Sequence, residues 1–414
     1  MPLHIAVVGA GLVGLGAAIS LGRQGHQVDI YEKSRFAHEV GAAIHVGPMA
    51  QRCLASWGLD LEEMKPVESV TLSRISVTDD HSEDMHLVSP AKLGLPERQL
   101  MVHRVDLHQL LLKSAQEQPT VAIHLGCAVK SVDPAGRITL ADETVISADI
   151  VVGADGVHAI SVGAVDEVDG PAPAQQTMYR FLLPAETARG HPVARRALDK
   201  WVYSDRLIDH ADFEGARHVV IYPCRNNTLL NGAVMLPIAL DPRADELEDA
   251  WNNPGTPSDI LEVIHDFPEE IKALVSLAED VKHWRSVNRE CPKTFIRGKL
   301  VLVGDSAHPM KPTFGAGAGI GIEDAAVLGL LLGRDTGPED VPRALEDYNR
   351  LRYERGVTVK YASEPPEAAE ASSAPPADTL RKLADAGVPK DMIGYLLGED
   401  ALEQARRVVD GSGG

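Results

Sequence analysis

A stretch near residue 304 combines an acid, a histidine and four closely spaced glycines. The apolar run from Lys299 to Val303 predicts a buried strand, and Gly304-Asp305 ends it. His308 follows, and glycines at 315, 317, 319 and 321 lead into an apolar helix predicted from Ile320 to Leu332. Glycines let the backbone approach a ligand closely, and a helix N-terminus carries partial positive charge. We therefore predict that this stretch binds a planar, electron-rich group.

A second group of glycines lies near the start of the chain. Gly9, Gly11 and Gly14 follow a strand predicted from His4 to Val8 and open a helix. In such a unit the first glycine makes the turn, the second admits a pyrophosphate, and the third lets helix and strand pack. The next predicted strand ends on Glu32, where a ribose-binding acid belongs. The unit predicts dinucleotide binding but does not distinguish NAD from FAD.

A third cluster, Gly153-Ala154-Asp155-Gly156, follows a core strand predicted from Asp149 to Val152. Two strand-end Gly/Asp clusters and a dinucleotide fingerprint are hard to explain as three unrelated turns, so we assign them to one site. A further loop from Gly41 to Pro48 carries His45. A lone histidine is usually structural or exposed, so the sequence alone leaves its role open.

The elements that position these residues predict an α/β (mixed α+β) fold. A Rossmann-like domain carries the glycine motifs, and a C-terminal helical part follows. Between them, alternating strands at 177–183, 200–203, 218–223 and 228–236, with helices at 244–251, 259–264 and 269–278, predict an inserted antiparallel-sheet domain. The predicted boundaries are 1–69, 100–160 and 285–362 for the nucleotide-binding domain, 70–99 and 161–284 for the inserted domain, and 363–414 for a linker and C-terminal helices.

Bulk composition limits the partners. The net charge of −20 over 414 residues argues against nucleic acid and anionic membranes, which bind basic surfaces. The four cysteines form no close pair, so we expect reduced thiols and neither a disulfide nor a metal site. The apolar run from Ile5 to Leu21 is short, glycine-rich and preceded by no Lys or Arg. We therefore expect a cytoplasmic protein without a membrane span.

The three motifs, in this order, resemble those of the single-component, FAD-dependent aromatic hydroxylases, a family that includes enzymes of the salicylate hydroxylase and 6-hydroxynicotinate 3-monooxygenase type. The resemblance covers residues 4–360. It implies FAD as cofactor, NADH or NADPH as electron donor, and a small phenolic or aromatic-acid substrate that is hydroxylated with O2 through a flavin C4a-hydroperoxide. We expect a monomer or homodimer.

The resemblance also implies roles for individual residues. His45 and His308 would lie beside the flavin as candidate bases, and Tyr222, with Lys200 or Arg206, would line the substrate pocket. A base is needed because phenolate is a better nucleophile than phenol. The residues expected to contact FAD run from its pyrophosphate and ribose to its ring: Gly9, Gly11, Gly14, Glu32, Lys33, Arg104, Asp155, Gly156, Asp305, Pro312, Gly315, Gly317, Ala318 and Gly319.

The chain departs from the family pattern at several positions. Ala316 replaces the usual glutamine of the glycine loop, and Gly319 replaces an asparagine or cysteine. Ala159 and Val162 replace a serine and an arginine after the Asp-Gly motif. These changes keep the backbone cradle and remove side-chain hydrogen bonds.

Other functions remain open at this stage. The same motifs serve epoxidases, oxidases and reductases, and a non-catalytic protein could retain the fold. An NAD-dependent dehydrogenase is disfavoured, because that class does not need Asp155-Gly156 and Gly304-Asp305 together. A nucleoside triphosphatase is disfavoured even more strongly, because neither glycine loop ends in Gly-Lys-Ser/Thr.

Overall fold

The structure is a computed structural model of the chain. It describes residues 1–35, 41–69, 71–77, 82–85, 97–168, 170, 172–202, 206–212, 215–247, 252–312, 315–363, 392–398 and 400–411.

These ranges contain strands and helices that we number in chain order. The strands are β1 (His4–Val8), β2 (Gln27–Glu32), β3 (Ala43–Val46), β4 (Val67–Ser69), β5 (Thr71–Ser76), β6 (Ser82–Met85), β7 (Gln99–His103), β8 (Val121–Leu125), β9 (Val129–Asp133), β10 (Arg137–Leu140), β11 (Val145–Ser147), β12 (Ile150–Gly153), β13 (Ala172–Pro184), β14 (Arg206–Asp212), β15 (Arg217–Cys224), β16 (Leu229–Pro237), β17 (Asn253–Pro254), β18 (Glu279–Asn288), β19 (Ile296–Arg297) and β20 (Leu300–Leu302). The helices are α1 (Leu12–Arg23), α2 (Pro48–Ser56), α3 (Arg104–Gln116), α4 (Ser161–Val165), α5 (Ala185–Gly190), α6 (Ala194–Ala197), α7 (Pro257–Val263), α8 (Glu269–Ser276), α9 (Gly317–Leu331), α10 (Val341–Ala362), α11 (Met392–Gly398) and α12 (Ala401–Val409).

A six-stranded sheet forms the centre of the nucleotide-binding part, in the order β19-β20-β12-β1-β2-β8. The strands from β20 to β8 are parallel, and only β19 runs antiparallel to its neighbour. The three glycine motifs follow β1, β12 and β20, which are adjacent in this order. Because the carboxyl ends of parallel strands lie at one edge, the motifs are brought together there.

An eight-stranded sheet forms the second layer, in the order β17-β18-β13-β16-β15-β14-β5-β6. It is antiparallel apart from the β5–β14 pair, which is parallel. Helices α5 to α8 cover one face of this sheet in a single apolar cluster. On the other side, Tyr222 and Cys224 pack against Ala43, Val67 and Met101 of the small sheet β3-β7-β4. This contact joins the two layers next to His45.

The predicted fold class is confirmed: a parallel nucleotide-binding sheet, a largely antiparallel second sheet and C-terminal helices are all present. The exact domain boundaries remain a prediction. The predicted linker at 364–378 lies outside the described residues. Among those described, no helix is both long and apolar enough to cross a membrane.

Three local predictions were wrong. Residues 200–203 were expected as a strand, but Leu198–Val202 is a π-helical segment that continues α6 in helical geometry. The helix expected at 244–251 is only the 3-10 turn Ala244–Glu246 within the described part, where Arg285 donates hydrogen bonds to the Ala244 carbonyl. Residues 248–251 lie outside the described residues. Helix α9 begins at Gly317 and not at Ile320, so the glycines form its first turn.

Candidate active site

The glycine turn after β1, residues 9–14, has the shape that its three glycines predict. Gly9 has a φ of +99°, and a Cβ there would lie 2.6 Å from the Ala154 carbonyl oxygen. A Cβ on Gly14 would lie 2.0 Å from the Gly9 carbonyl oxygen, so only glycine lets α1 pack here. A Cβ on Gly11 would meet nothing within 4 Å. The space beside Gly11, at a helix N-terminus without a side-chain cap, suits a pyrophosphate.

Glu32 lies directly beside this turn. Its carboxylate accepts a hydrogen bond from the Ala10 N–H at 2.8 Å and another from the Ser34 N–H at 2.7 Å. A carboxylate has further lone pairs, so Glu32 can still accept from a ribose hydroxyl. Lys33, next along the chain, is exposed.

The three motifs are in direct contact. Val13 of α1 packs against Gly304 and Gly321, where a Cβ would lie 2.9 Å and 2.4 Å from the Val13 methyl carbon. The Ser306 hydroxyl donates to the Gly153 carbonyl at 2.5 Å. The Gly-Asp loop (residues 304–308) therefore touches both the glycine turn and the Asp-Gly loop (residues 153–157).

Arg289 ties two of these loops together, and the sequence analysis missed it. Its Nη2 donates to the carbonyls of Asp305 at 2.8 Å and Ser306 at 2.7 Å, and its Nε donates to the Val157 carbonyl at 3.3 Å. The side chain is buried, and burial lowers the pKa of the guanidinium. No motif marks this arginine, because its partners are backbone carbonyls from distant loops.

Asp155 shapes the Asp-Gly loop. Its carboxylate accepts hydrogen bonds from the N–H groups of Ile160 at 2.8 Å and Ser161 at 3.0 Å, and from the Ser161 hydroxyl. Ser161 thus supplies a side-chain bond that Ala159 cannot make. Gly156, with a φ of +79°, completes the turn. Within the described contacts, Asp155 supports the loop and the start of α4.

Asp305 lies beside the glycine loop, where a Cβ on Gly317 would fall 4.0 Å from its Oδ1. Its side chain is accessible to solvent, yet burial by the surrounding protein raises the pKa of its carboxyl group. The charges of His308, Arg289 and Arg104 oppose that rise in pKa. A carboxylate in such a position is suited to accept hydrogen bonds from the hydroxyls of a bound ligand.

The glycine loop, residues 315–319, lies next to Asp305. Gly315 has a φ of +61°, and its N–H donates to the Pro312 carbonyl at 2.9 Å. Pro312 is exposed, whereas Gly317, Ala318 and Gly319 are partly buried. Since α9 starts at Gly317 without a side-chain cap, the N–H groups of its first turn have no partner within the helix. These amides can bind an electron-rich ring edge or an anion.

His45 lies against this loop, since a Cβ on Gly315 would fall 2.8 Å from its Nδ1. The imidazole is partly accessible, and burial lowers its pKa to about 4, so it is neutral at pH 7. Its ring meets the Tyr222 ring edge-on, with centroids 5.4 Å apart. The Tyr222 hydroxyl donates to the Ala43 carbonyl at 2.6 Å, and burial raises its pKa. Tyr222 therefore acts as a wall and keeps its proton.

His308 remains a predicted candidate base, and the structure places it in a buried group of charged side chains. The ring is fully buried, with its Nε2 2.6 Å from the Asp324 carboxylate. Asp324 also accepts from the Gly304 N–H at 2.9 Å and from Arg352 at 2.7 Å. Burial would raise the pKa of Asp324, but the charges of His308 and Arg352 lower it. Asp324 thus links the His308 ring to the Gly304 N–H within the Gly-Asp loop.

Arg180 on β13 is a second residue that the sequence analysis missed. It is buried, its Nη2 pairs with Asp280 at 3.2 Å, and its Nε has no hydrogen-bond partner among the described residues. Burial lowers its pKa, and the nearby charge of Arg104 adds to this effect. Of the other pocket candidates, Lys200 is exposed and the side chain of Arg206 lies outside the description.

Comparison with known proteins places this arrangement in a family. Residues 3–361 match the FAD binding domain family. The chain belongs to this family. The residues fit its cofactor: the space at Gly11, the carboxylates of Glu32 and Asp305, and the uncapped first turn of α9 are the features that FAD requires.

Relatives of this FAD-dependent monooxygenase support its enzyme class. The chain is 35% identical over 373 residues to the FAD-dependent monooxygenase cfoG of Aspergillus candidus, covering 87% of this chain and 84% of that protein. It is 32% identical over 370 residues to hispidin-3-hydroxylase of Neonothopanus nambi, covering 86% of each. Its fold matches the tetrameric form of 2-methyl-3-hydroxypyridine-5-carboxylic acid oxygenase, with a TM-score of 0.74, 23% identity and coverage of 97% and 98%. The family resemblance inferred from the motifs is confirmed.

Proposed function

We propose that this enzyme uses NADH or NADPH and O2 to hydroxylate a small phenolic or aromatic-acid substrate through a flavin C4a-hydroperoxide. The observation that carries the proposal is the position of His45. A neutral imidazole lies between the glycine loop and Tyr222, and Asp305 lies against the same loop, where a Cβ on Gly317 would fall 4.0 Å from its Oδ1. The glycine loop thus brings a cofactor cradle next to a group able to accept a phenol proton.

The chain would hold FAD mainly through backbone groups. The N–H groups around Gly11 bind the pyrophosphate, and Glu32 binds the ribose, with Lys33 nearby in solvent. Arg104 neutralises phosphate charge, and Asp305 accepts from ribitol hydroxyls. The α9 amides bind the electron-rich edge of the ring, where negative charge collects on reduction. When bound, FAD would supply the acceptor for the two electrons of NADH or NADPH and, once reduced, the activation of O2.

His45 is suited to take the substrate's proton. Its low pKa keeps it unprotonated at pH 7, and Tyr222 fixes one edge of its ring. A phenolate forming beside it places negative charge nearby, which raises the imidazole pKa at the moment of transfer.

The charge of the pocket favours an anionic substrate despite the net charge of −20. Arg180 is buried on the sheet, and Arg104 lies near it and near Asp305. Both guanidinium groups would attract the carboxylate of an aromatic acid or the oxygen of a phenolate, which supports that substrate class.

The test is a panel of hydroxybenzoic, aminohydroxybenzoic and hydroxypyridine carboxylic acids, each assayed with NADH and NADPH. Reduced-nucleotide consumption, hydroxylated product and hydrogen peroxide are measured together. We expect one or more acids to accelerate nucleotide oxidation at least about tenfold and to give product. If no aromatic compound accelerates flavin reduction or gives product, the proposal fails and an oxidase, epoxidase or reductase takes its place.

A further inference from the structure

The turn between β15 and β16 has an unusual backbone. Arg225, Asn226 and Asn227 have φ values of 49°, 52° and 62°, so three consecutive non-glycine residues are left-handed. Asparagine tolerates this conformation, whereas arginine adopts it at a cost. Such a conformation persists only where surrounding contacts hold it, and it often marks a functional constraint.

Two contacts hold this turn against the nucleotide-binding part. Arg225 donates from Nε to one Asp106 carboxylate oxygen at 2.6 Å and from Nη2 to the other at 3.1 Å. The Asn226 N–H donates to the Lys65 carbonyl at 3.1 Å. Lys65 is itself left-handed, with a φ of 50°, and its ammonium lies 3.7 Å from Asp106. Four of the seven described non-glycine residues with positive φ thus meet at one junction.

The junction links two walls of the candidate active site. Asp106 is buried in the first turn of α3, two residues after Arg104, the proposed contact to the FAD phosphates. Arg225 comes three residues after Tyr222, at the end of the strand that carries it. A shift of the turn along α3 would therefore move Tyr222 relative to His45. A paired, bidentate guanidinium and carboxylate resists such a shift better than apolar packing, because its geometry is directional.

We propose that Arg225 and Asp106 form a latch that positions the eight-stranded sheet against α3, so that Tyr222 and His45 keep the geometry that hydroxylation requires. This inference rests on the proposed function. The two are positioning residues, since they act through Tyr222. Their loss loosens the substrate wall and admits water, while the parts of the FAD cradle at Gly11, Glu32 and the first turn of α9, which lie on other elements, are retained.

The test compares Arg225→Gln, Asp106→Asn and the double variant with the wild-type, FAD-loaded enzyme. Each single variant should raise KM for the aromatic substrate about fivefold to twentyfold and increase the fraction of reduced nucleotide lost to peroxide. The double variant should be no worse than the singles, because the two side chains act as one unit. FAD affinity should change by less than about twofold, and Arg225→Lys should recover part of the loss.

Two control variants separate the latch from general stability. Lys113→Gln removes the exposed Lys113–Glu63 pair, at 3.1 Å, from the same helix. Asn227→Gly relieves the backbone without touching the ion pair. Both should keep wild-type KM and wild-type peroxide yield. The latch is overturned if Arg225→Gln behaves like Lys113→Gln in KM and peroxide yield and differs only in melting temperature.

A substrate-independent readout keeps the latch testable if the proposed function fails. Hydrogen–deuterium exchange on the FAD-loaded protein should be about tenfold faster across 217–224 and 104–110 in Arg225→Gln than in Lys113→Gln. Equal exchange in the two variants rejects the latch. Absence of product from every aromatic compound, with this exchange difference present, rejects the proposed function and retains the latch.

Discussion

The imidazole of His45 meets the phenol ring of Tyr222 edge-on, at an interplanar angle of 73°. This contact joins a loop of the nucleotide-binding part to a strand of the eight-stranded sheet. His45 can accept a proton from the proposed substrate. Tyr222 cannot take that role, since its hydroxyl donates a hydrogen bond to the Ala43 carbonyl. The position of His45 leads to the first prediction.

His45→Gln should slow hydroxylation about a hundredfold or more, which is typical for loss of a general base. FAD affinity should change by less than about twofold, because His45 contributes no described contact to the pyrophosphate or ribose regions. The measurement is single-turnover product formation beside flavin titration. His265→Gln, at an exposed histidine, is the control. Equal loss of flavin binding and hydroxylation would assign His45 to the cofactor cradle.

His308→Ala should have the opposite profile. It removes one partner from the buried His308–Asp324–Arg352 group, and breaking such a group costs about 3–5 kcal/mol of unfolding free energy. Urea unfolding of the apoprotein measures this cost. Arg350→Ala, which breaks an exposed pair with Asp347, should cost less than about 1 kcal/mol. A fully stable His308→Ala protein that binds FAD but fails to hydroxylate would support His308 as a catalytic candidate.

Asp305→Asn should stabilise the apoprotein and weaken its binding of FAD. Burial raises the pKa of this carboxyl group, which means that the charged form costs folding free energy at pH 7. The same charge strengthens hydrogen bonds from ribitol hydroxyls, so its loss should weaken FAD about tenfold to a hundredfold. Melting temperature and flavin titration test the two effects. Asp335→Asn, at an exposed aspartate, should change neither quantity. If Asp305→Asn changed the apoprotein melting temperature and the FAD affinity in the same direction, this role for Asp305 would be wrong.

Alanine at two glycines separates folding from cofactor binding. Gly14→Ala places a Cβ against the Gly9 carbonyl and should destabilise the apoprotein by several kcal/mol, whereas Gly11→Ala meets no protein atom. Gly11→Ala should therefore keep the apoprotein melting temperature and lower the affinity for FAD about tenfold or more. Gly163→Ala, also open, is the control. Unchanged FAD affinity in Gly11→Ala would place the pyrophosphate elsewhere.

Acid should destabilise the protein before its carboxylates titrate. Burial lowers the pKa of His45, His103 and His210 to about 4 from an ordinary value of 6.5. The unfolded chain thus binds more protons between pH 6.5 and 4, so stability is full above 6.5 and falls with pH through this window. Each histidine contributes about 2 kcal/mol by pH 5. Urea unfolding at pH 7 and pH 5 should show a smaller difference in His210→Gln than in His265→Gln; equal differences would contradict this origin.

The nucleotide-binding part could be predicted because its information is local. Each glycine of the Gly9 turn does what its place in the motif implies, and the strands before the three motifs pair as neighbours. The missed residues depend on long-range contacts. Arg289 and Arg225 each have one partner more than a hundred residues away, Val157 and Asp106, which no local spacing rule predicts. The buried partner of His308, Asp324, could not be predicted from the motif, because it meets the ring only when α9 packs against the loop.

Isotope labelling tests the central claim most directly. The FAD-loaded enzyme is supplied with NADH or NADPH, ¹⁸O2 and the aromatic acid of the panel that gives the most product. The mass of the product is then measured by mass spectrometry. The proposed monooxygenase reaction predicts one ¹⁸O atom in each product molecule and about one product per reduced nucleotide. Product without the label, or nucleotide oxidation that no aromatic compound stimulates and that returns all oxygen as hydrogen peroxide, would contradict it.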